Sequence, residues 1–217
     1  MYKQTVEYIE KEKIIAIIRG VEPEKLIPMA AAMYDGGIRL LECTYDASGK
    51  TPDEETAESI ALLAKHFEGK MLIGAGTVLK KSQIELTKAA GGKFIISPDT
   101  NVEIITETKK LGLVSIPGAL TPSEATLAHR SGADFVKLFP INQMGTGYLK
   151  ALCAPLSHIR FLAVGGVRIN NVLDYLNSGA SGIGIGLSDR DREAIKKNDF
   201  DCIKESFGEI VNKVKEY

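Results

Sequence analysis

Short apolar runs alternate with longer amphipathic stretches along the whole chain. The runs are Ile14–Arg19, Ile38–Thr44, Met71–Val78, Phe94–Pro98, Leu113–Leu120, Asp134–Pro140, Ile159–Gly166 and Ser181–Gly186. They are short, rich in β-branched residues and bounded by glycine or proline, which predicts strands. They are apolar throughout rather than alternating, the pattern of strands covered on both faces in a parallel sheet. Helical patterns lie between them. Pro23 opens one that closes at Gly36-Gly37, and Pro52 opens another with Asp53, Glu54 and Glu55 in its first turn, where the helix dipole favours negative charge. Ser82 leads into a third that ends at Gly91-Gly92. Thr121-Pro122-Ser123-Glu124 offers a cap, Asn170–Leu176 leads into Gly179, and Phe200–Val214 forms the last amphipathic helix. Eight strand–helix units after an N-terminal helix predict an α/β fold, a (β/α)8 TIM barrel. An open doubly wound sheet is the rival arrangement.

Composition narrows the reading. The chain has 217 residues, enough to bury a core without disulfide or metal staples. Its 27 Lys and Arg against 28 Asp and Glu leave a net charge of −1, without the basic excess expected of a nucleic-acid binder. Cys43, Cys153 and Cys202 are widely spaced and odd in number, as expected of reduced thiols. No apolar run reaches the roughly 18 residues of a membrane span. The opening MYKQTVEYIEKEK lacks the greasy centre of a signal peptide. The expectation is a single domain over residues 1–217, cytoplasmic, with no membrane or nucleic-acid partner.

In a barrel, chemistry sits where the strands run out into the following loops. Lys137 interrupts Phe135, Val136, Leu138 and Phe139 just before Pro140. A lysine on a strand covered on both faces has no easy route to water. It either reaches a rim salt bridge or, desolvated, becomes a nucleophile for carbonyls. Glu42 shares its strand face with Leu40 and Thr44. A buried carboxylate there is a structural ion pair with Lys137 or Arg19, or a proton shuttle. Arg19 ends the first strand on the parity of Ile15 and Ile17, and can face the pocket as an anion clamp. Gly165-Gly166 and the run Gly182, Gly184, Gly186 sit where strands seven and eight of such barrels cradle phosphate, although close strand packing also explains glycines.

Other features mislead. Ser48-Gly49-Lys50-Thr51 resembles the tail of a nucleotide P-loop, but Thr44 stands where its first glycine is required. His66, His129 and His158 fall on helices or connections, and no cluster has metal spacing. No metal or cofactor is expected.

Five motifs occur in order: GAGTV (Gly74–Val78), ISP (Ile96–Pro98), IPG (Ile116–Gly118), KLFP (Lys137–Pro140) and GGV (Gly165–Val167). With LLECT around Glu42, the chain resembles the 2-keto-3-deoxy-6-phosphogluconate and 4-hydroxy-2-oxoglutarate (KDPG/KHG) aldolases over nearly its whole length. The resemblance implies a metal-free class I aldolase on a (β/α)8 barrel, a homotrimer whose small-molecule partners are pyruvate and an aldehyde. It makes Lys137 the Schiff-base lysine and Glu42 the general acid/base. Thr77 and Pro98 would hold the pyruvate end, and Phe139 would wall the pocket. Gly165, Gly166, Gly186 and Ser188 would hold the far end of the substrate. The chain departs from the family pattern at Asp46, where several relatives carry an arginine, although Arg19 matches an arginine of other members. Val164 replaces a threonine, and Leu187 stands where a serine is usual, with Ser188 following it. A phosphosugar isomerase or decarboxylase on the same fold, and a non-catalytic oxo-acid sensor, are the alternatives. The first would show rim carboxylate–lysine pairs on several strands, where this sequence has one inward lysine, and the second would not turn over simple 2-oxo acids.

Overall fold

The computed structural model describes residues 2–217. Helix α1 (Tyr2–Glu12) precedes a sheet of nine strands. They are β1 (Ile14–Ile18), β2 (Leu40–Thr44), β3 (Leu72–Gly76), β4 (Phe94–Ile96), β5 (Val114–Ile116), β6 (Gly118–Ala119), β7 (Val136–Leu138), β8 (Phe161–Val164) and β9 (Gly182–Gly186). All pairings are parallel, in the order β5-β4-β3-β2-β1-β9-β8-β7-β6. The two edges, β5 and β6, are consecutive in the chain with only Pro117 between them, so the sheet is nearly closed into a barrel.

This divides the single strand expected over Leu113–Leu120. Proline has no N–H to give the ladder, and the chain changes partner there. The segment before Pro117 pairs with β4 and the segment after it with β7. The Pro117 carbonyl still accepts from the Lys137 N–H at 2.8 Å, which holds β7 beside the break.

The side chains sort into two cores by strand parity. The inner one holds Ile15, Leu40, Phe94, Ile96, Val114, Ile116, Phe135, Leu162 and Val164, together with Ile9 from α1. The outer one lies between sheet and helices and takes the alternate residues, among them Ala16, Leu41, Cys43, Ile73, Val136 and Leu138. Helix α1 lies across the strand starts. Tyr2 and Lys109 bond to Asp134 just ahead of β7, and Glu10 pairs with Arg160 just ahead of β8. The N-terminal end of the barrel is therefore plugged, and the opposite rim is left for function.

Helices α2 (Pro23–Asp35), α3 (Asp53–His66), α4 (Lys81–Ala89), α5 (Val102–Lys110), α6 (Pro122–Arg130), α7 (Gly145–Cys153), α8 (Val172–Asn177), α9 (Asp189–Lys196) and α10 (Phe200–Lys215) complete the outer layer. The expected cap of α6 is present: Thr121 Oγ1 accepts from the Glu124 N–H at 3.3 Å, and Glu124 Oε2 accepts from the Thr121 N–H at 2.7 Å. No helix among the described residues is long and apolar enough to cross a membrane.

Candidate active site

Strand parity fixes which side chains enter the barrel. Phe135 belongs to the inner core and Val136 and Leu138 to the outer one, so Lys137 points inward. It is 8% exposed, and its Nζ lies 4.7 Å from the Phe139 ring centroid. This Nζ has no hydrogen-bond or ion-pair partner among the described residues. Glu42 enters on the parity of Leu40 and is 2% exposed. Its Oε1 accepts from Thr44 Oγ1 at 3.2 Å, while its buried Oε2 has no partner among the described residues.

The two groups shape each other's ionisation without touching. Burial drives the Lys137 amine below its usual range; the Glu42 charge opposes this and the Arg19 charge adds to it. Burial drives the Glu42 carboxyl upward, against the Lys137 charge, the Thr44 hydrogen bond and the Arg19 charge. Both shifts move an amine and a carboxyl towards the range where they exchange protons near neutrality. A pair committed to structure would make a contact ion pair, and among the described residues none joins Lys137 to Glu42.

The rim above them is built from strand ends. Arg19 follows β1 and donates from Nη2 to Thr77 Oγ1 at 3.0 Å. Thr77 follows β3 with a φ of 54°, a strained backbone of the kind retained at functional sites. Pro98 follows β4 and is half-buried. Phe139 is 38% exposed, so it stands at the mouth above Lys137. Gly165 and Gly166 follow β8 with φ of 101° and 69°, values a side chain would strain. Gly182 and Gly184 are explained by close strand packing, since a Cβ on either would meet its neighbours at 2.7 and 2.9 Å. Gly186 faces open space. The structure thus gathers Lys137, Glu42, Arg19, Thr77, Pro98, Phe139 and the glycine ends at one rim.

Ser188 is placed differently. Its hydroxyl and its N–H both donate to Asp191 Oδ2, at 2.7 and 2.8 Å, and it accepts from the Asp191 N–H at 3.2 Å. It caps α9, and its hydroxyl is already engaged. Leu187 packs in the outer core, whereas Val164 lines the barrel interior. Asp46 is also turned to local use. Its carboxylate accepts from the N–H groups of Ser48, Lys50 and Thr51 and from the Ser48 hydroxyl, which lowers it to about 2. The P-loop lookalike is thus a loop wrapped around Asp46.

Two cavities open beside the rim and share Arg19. One of about 1060 Å³ is lined by Thr44, Asp46, Lys50 and Thr51 among others, and one of about 390 Å³ by Leu187, Asp189 and Arg192 among others. Neither is lined by Lys137 or Glu42, which lie deeper in the barrel, so the chemistry is located by the reactive groups rather than by these two cavities. Among the described residues no group of three or more His, Cys, Asp or Glu side chains is placed to hold a metal ion. His129 and His158 pack edge to face at 5.0 Å on the outside.

Two residues matter more than their sequence signals suggest. Gly76 leaves the space that the Glu42 carboxyl occupies, since a Cβ there would stand 1.6 Å from Oε1. Thr44 supplies the only hydrogen bond to that carboxyl among the described residues. The clue to both is their register, for Thr44 pairs with Gly76 at the end of β2 and β3, one step beyond Glu42 and Gly74.

A family model described as KDPG and KHG aldolase matches residues 6–206. The chain is 34% identical over 182 residues to 2-dehydro-3-deoxy-6-phosphogalactonate aldolase of Escherichia coli K12, covering 83% of this chain and 86% of that one. It is 32% identical over 171 residues to 2-dehydro-3-deoxy-phosphogluconate aldolase of Treponema pallidum, covering 78% of each. Among solved structures, KDPG aldolase of Legionella pneumophila, with pyruvate captured as a covalent carbinolamine intermediate, superposes with a TM-score of 0.84. That match has 30% identity and covers 94% of this chain and 97% of that one. These matches agree with the barrel, and the chain belongs to the KDPG and KHG aldolase family of carbon–carbon lyases.

Proposed function

We propose that this protein is a class I aldolase that reversibly cleaves a 2-oxo-4-hydroxy acid into pyruvate and an aldehyde. The Lys137 amine attacks the C2 ketone to give a carbinolamine, and loss of water gives an iminium. Removal of the C4 hydroxyl proton breaks the C3–C4 bond. The aldehyde leaves, and the bonding electrons pass to the iminium to form an enamine. Protonation at C3 and hydrolysis by water release pyruvate and restore the amine. Glu42 carries the protons in the dehydration, cleavage and enamine steps. Burial of Lys137 within the barrel, with no ion-pair partner among the described residues, is the observation that carries this reading, because only a neutral amine is nucleophilic.

Arg19 is the cation for the substrate carboxylate, steadied by Thr77, with Pro98 beside it and Phe139 walling the amine. The N–H groups of Gly165, Gly166 and Gly186 face the far end of the substrate, at the rim where such barrels hold phosphate. Ser188 contributes by fixing the start of α9 next to them. Relatives named for 6-phosphorylated sugar acids point to substrates of that class, with 4-hydroxy-2-oxoglutarate as the short analogue. The chain is one aldolase domain over 1–217, cytoplasmic, acting as a homotrimer; light scattering giving another mass would refute the trimer.

Pyruvate release from 2-keto-3-deoxy-6-phospho sugar acids and from 4-hydroxy-2-oxoglutarate tests the reading. Turnover of at least one, unchanged by a strong chelator, is expected. No turnover of any of them, with the oxo acid merely bound, would favour a sensor. Loss of activity with the chelator would point to metal-dependent chemistry.

A further inference from the structure

We infer that Thr44 is a positioning residue for Glu42, pinning Oε1 so that Oε2 is left to carry the proton; this rests on the proton-shuttle role proposed for Glu42. The carboxyl is held from two sides. Thr44 Oγ1 donates to Oε1 at 3.2 Å. Gly76, the register partner of Thr44, lies so close to Oε1 that even a methyl group would displace it. Oε2 is buried and has no hydrogen-bond donor among the described residues. An unpartnered buried carboxylate oxygen is costly, and a catalytic group that takes up and releases a proton is a reason to retain one. Thr44 is itself 8% exposed, so its hydroxyl has little water to compete for it.

The hydrogen bond also bears on acidity, because an acceptor role favours the charged carboxyl. The groups facing Glu42 are few. Lys137 on β7 and Arg19 after β1 favour the carboxylate, as does the Thr44 hydroxyl, while burial opposes all three. Cys43, next in sequence, points to the outer core with its thiol pushed far up, so it stays neutral. On the β3 side, Gly76 lies against the carboxyl and brings no charge. Among these, Thr44 is the one uncharged partner, and it can be removed without altering the charge balance.

The test is the pH–rate profile of T44V and T44A, with T44S as the conservative variant. Borohydride trapping with pyruvate is run on each, and both replacements are measured so that a folding failure in one does not end the test. Trapping is expected to persist in every folded variant. Turnover should fall about tenfold in T44V and T44A, the scale of one hydrogen bond to a charged group. The limb of the profile that Glu42→Gln removes should move to higher pH in both and return in T44S. Trapped variants with the wild-type profile, or a turnover loss that T44S does not recover, would overturn the role of Thr44 and leave the aldolase reading intact. Absence of any trapped adduct in the wild type would instead overturn the aldolase reading.

Discussion

Gly76 lies directly beneath the carboxyl group of Glu42, so closely that a Cβ on residue 76 would stand 1.6 Å from Oε1. The glycine at the end of β3 is thus the space in which the proposed acid–base group rests. Gly76→Ala should displace the carboxyl rather than unfold the barrel. Overpacking of this kind costs about 1–3 kcal/mol, which a thermal melt would register as a modest fall. Turnover should drop more than a hundredfold, because displacement by about 1 Å costs that much in a positioned group. A variant with near-normal turnover would mean that Glu42 is not held where the proposed chemistry needs it.

Glu42→Gln keeps the volume and removes the proton shuttle. It should fold and lose roughly 10²–10⁴ in turnover, the usual contribution of acid–base catalysis. Lys137 then loses the negative charge that holds its proton on, so its amine should become still easier to deprotonate and the pyruvate adduct should still form. An unfolded variant would support a structural rather than catalytic role for Glu42.

Arg19 acts on both partners, since its charge lowers Lys137 and Glu42 alike. In Arg19→Ala both groups should therefore titrate at higher values, and both limbs of the pH–rate profile should move in the alkaline direction. The KM for pyruvate in the condensation direction should rise roughly tenfold or more, the scale of a lost hydrogen bond to a charged group. Unchanged limbs alongside a raised KM would confine Arg19 to binding.

The barrel is legible in the sequence because parallel strands covered on both faces read as unbroken apolar runs, and Lys137 and Glu42 stand out as charges within such runs. What is hidden is hidden for physical reasons. The break at Pro117 interrupts no apolar run, because its flanks Ile116 and Gly118 still suit a strand. Helix α7 opens with Gly145 and carries Gly147, which weakens its helical signature. Helix α9 is mostly charged, with only Asp191, Ala194 and Ile195 buried. Helix α5 carries an ordinary asparagine cap at Asn101 that the pattern of apolar runs does not single out. The roles of Ser188 and Asp46 depend on hydrogen bonds to residues two to five positions away, and spacing alone does not separate a capping serine or loop-binding aspartate from a ligand contact.

The central claim is that the Lys137 amine forms an imine with the substrate ketone. Incubation of the protein with pyruvate and sodium borohydride, followed by peptide mass analysis, tests it most directly. One reduced pyruvate adduct per chain is expected, on the peptide containing Lys137, and none in Lys137→Ala. No adduct on the wild type, or an adduct on another lysine that persists in Lys137→Ala, would contradict the account.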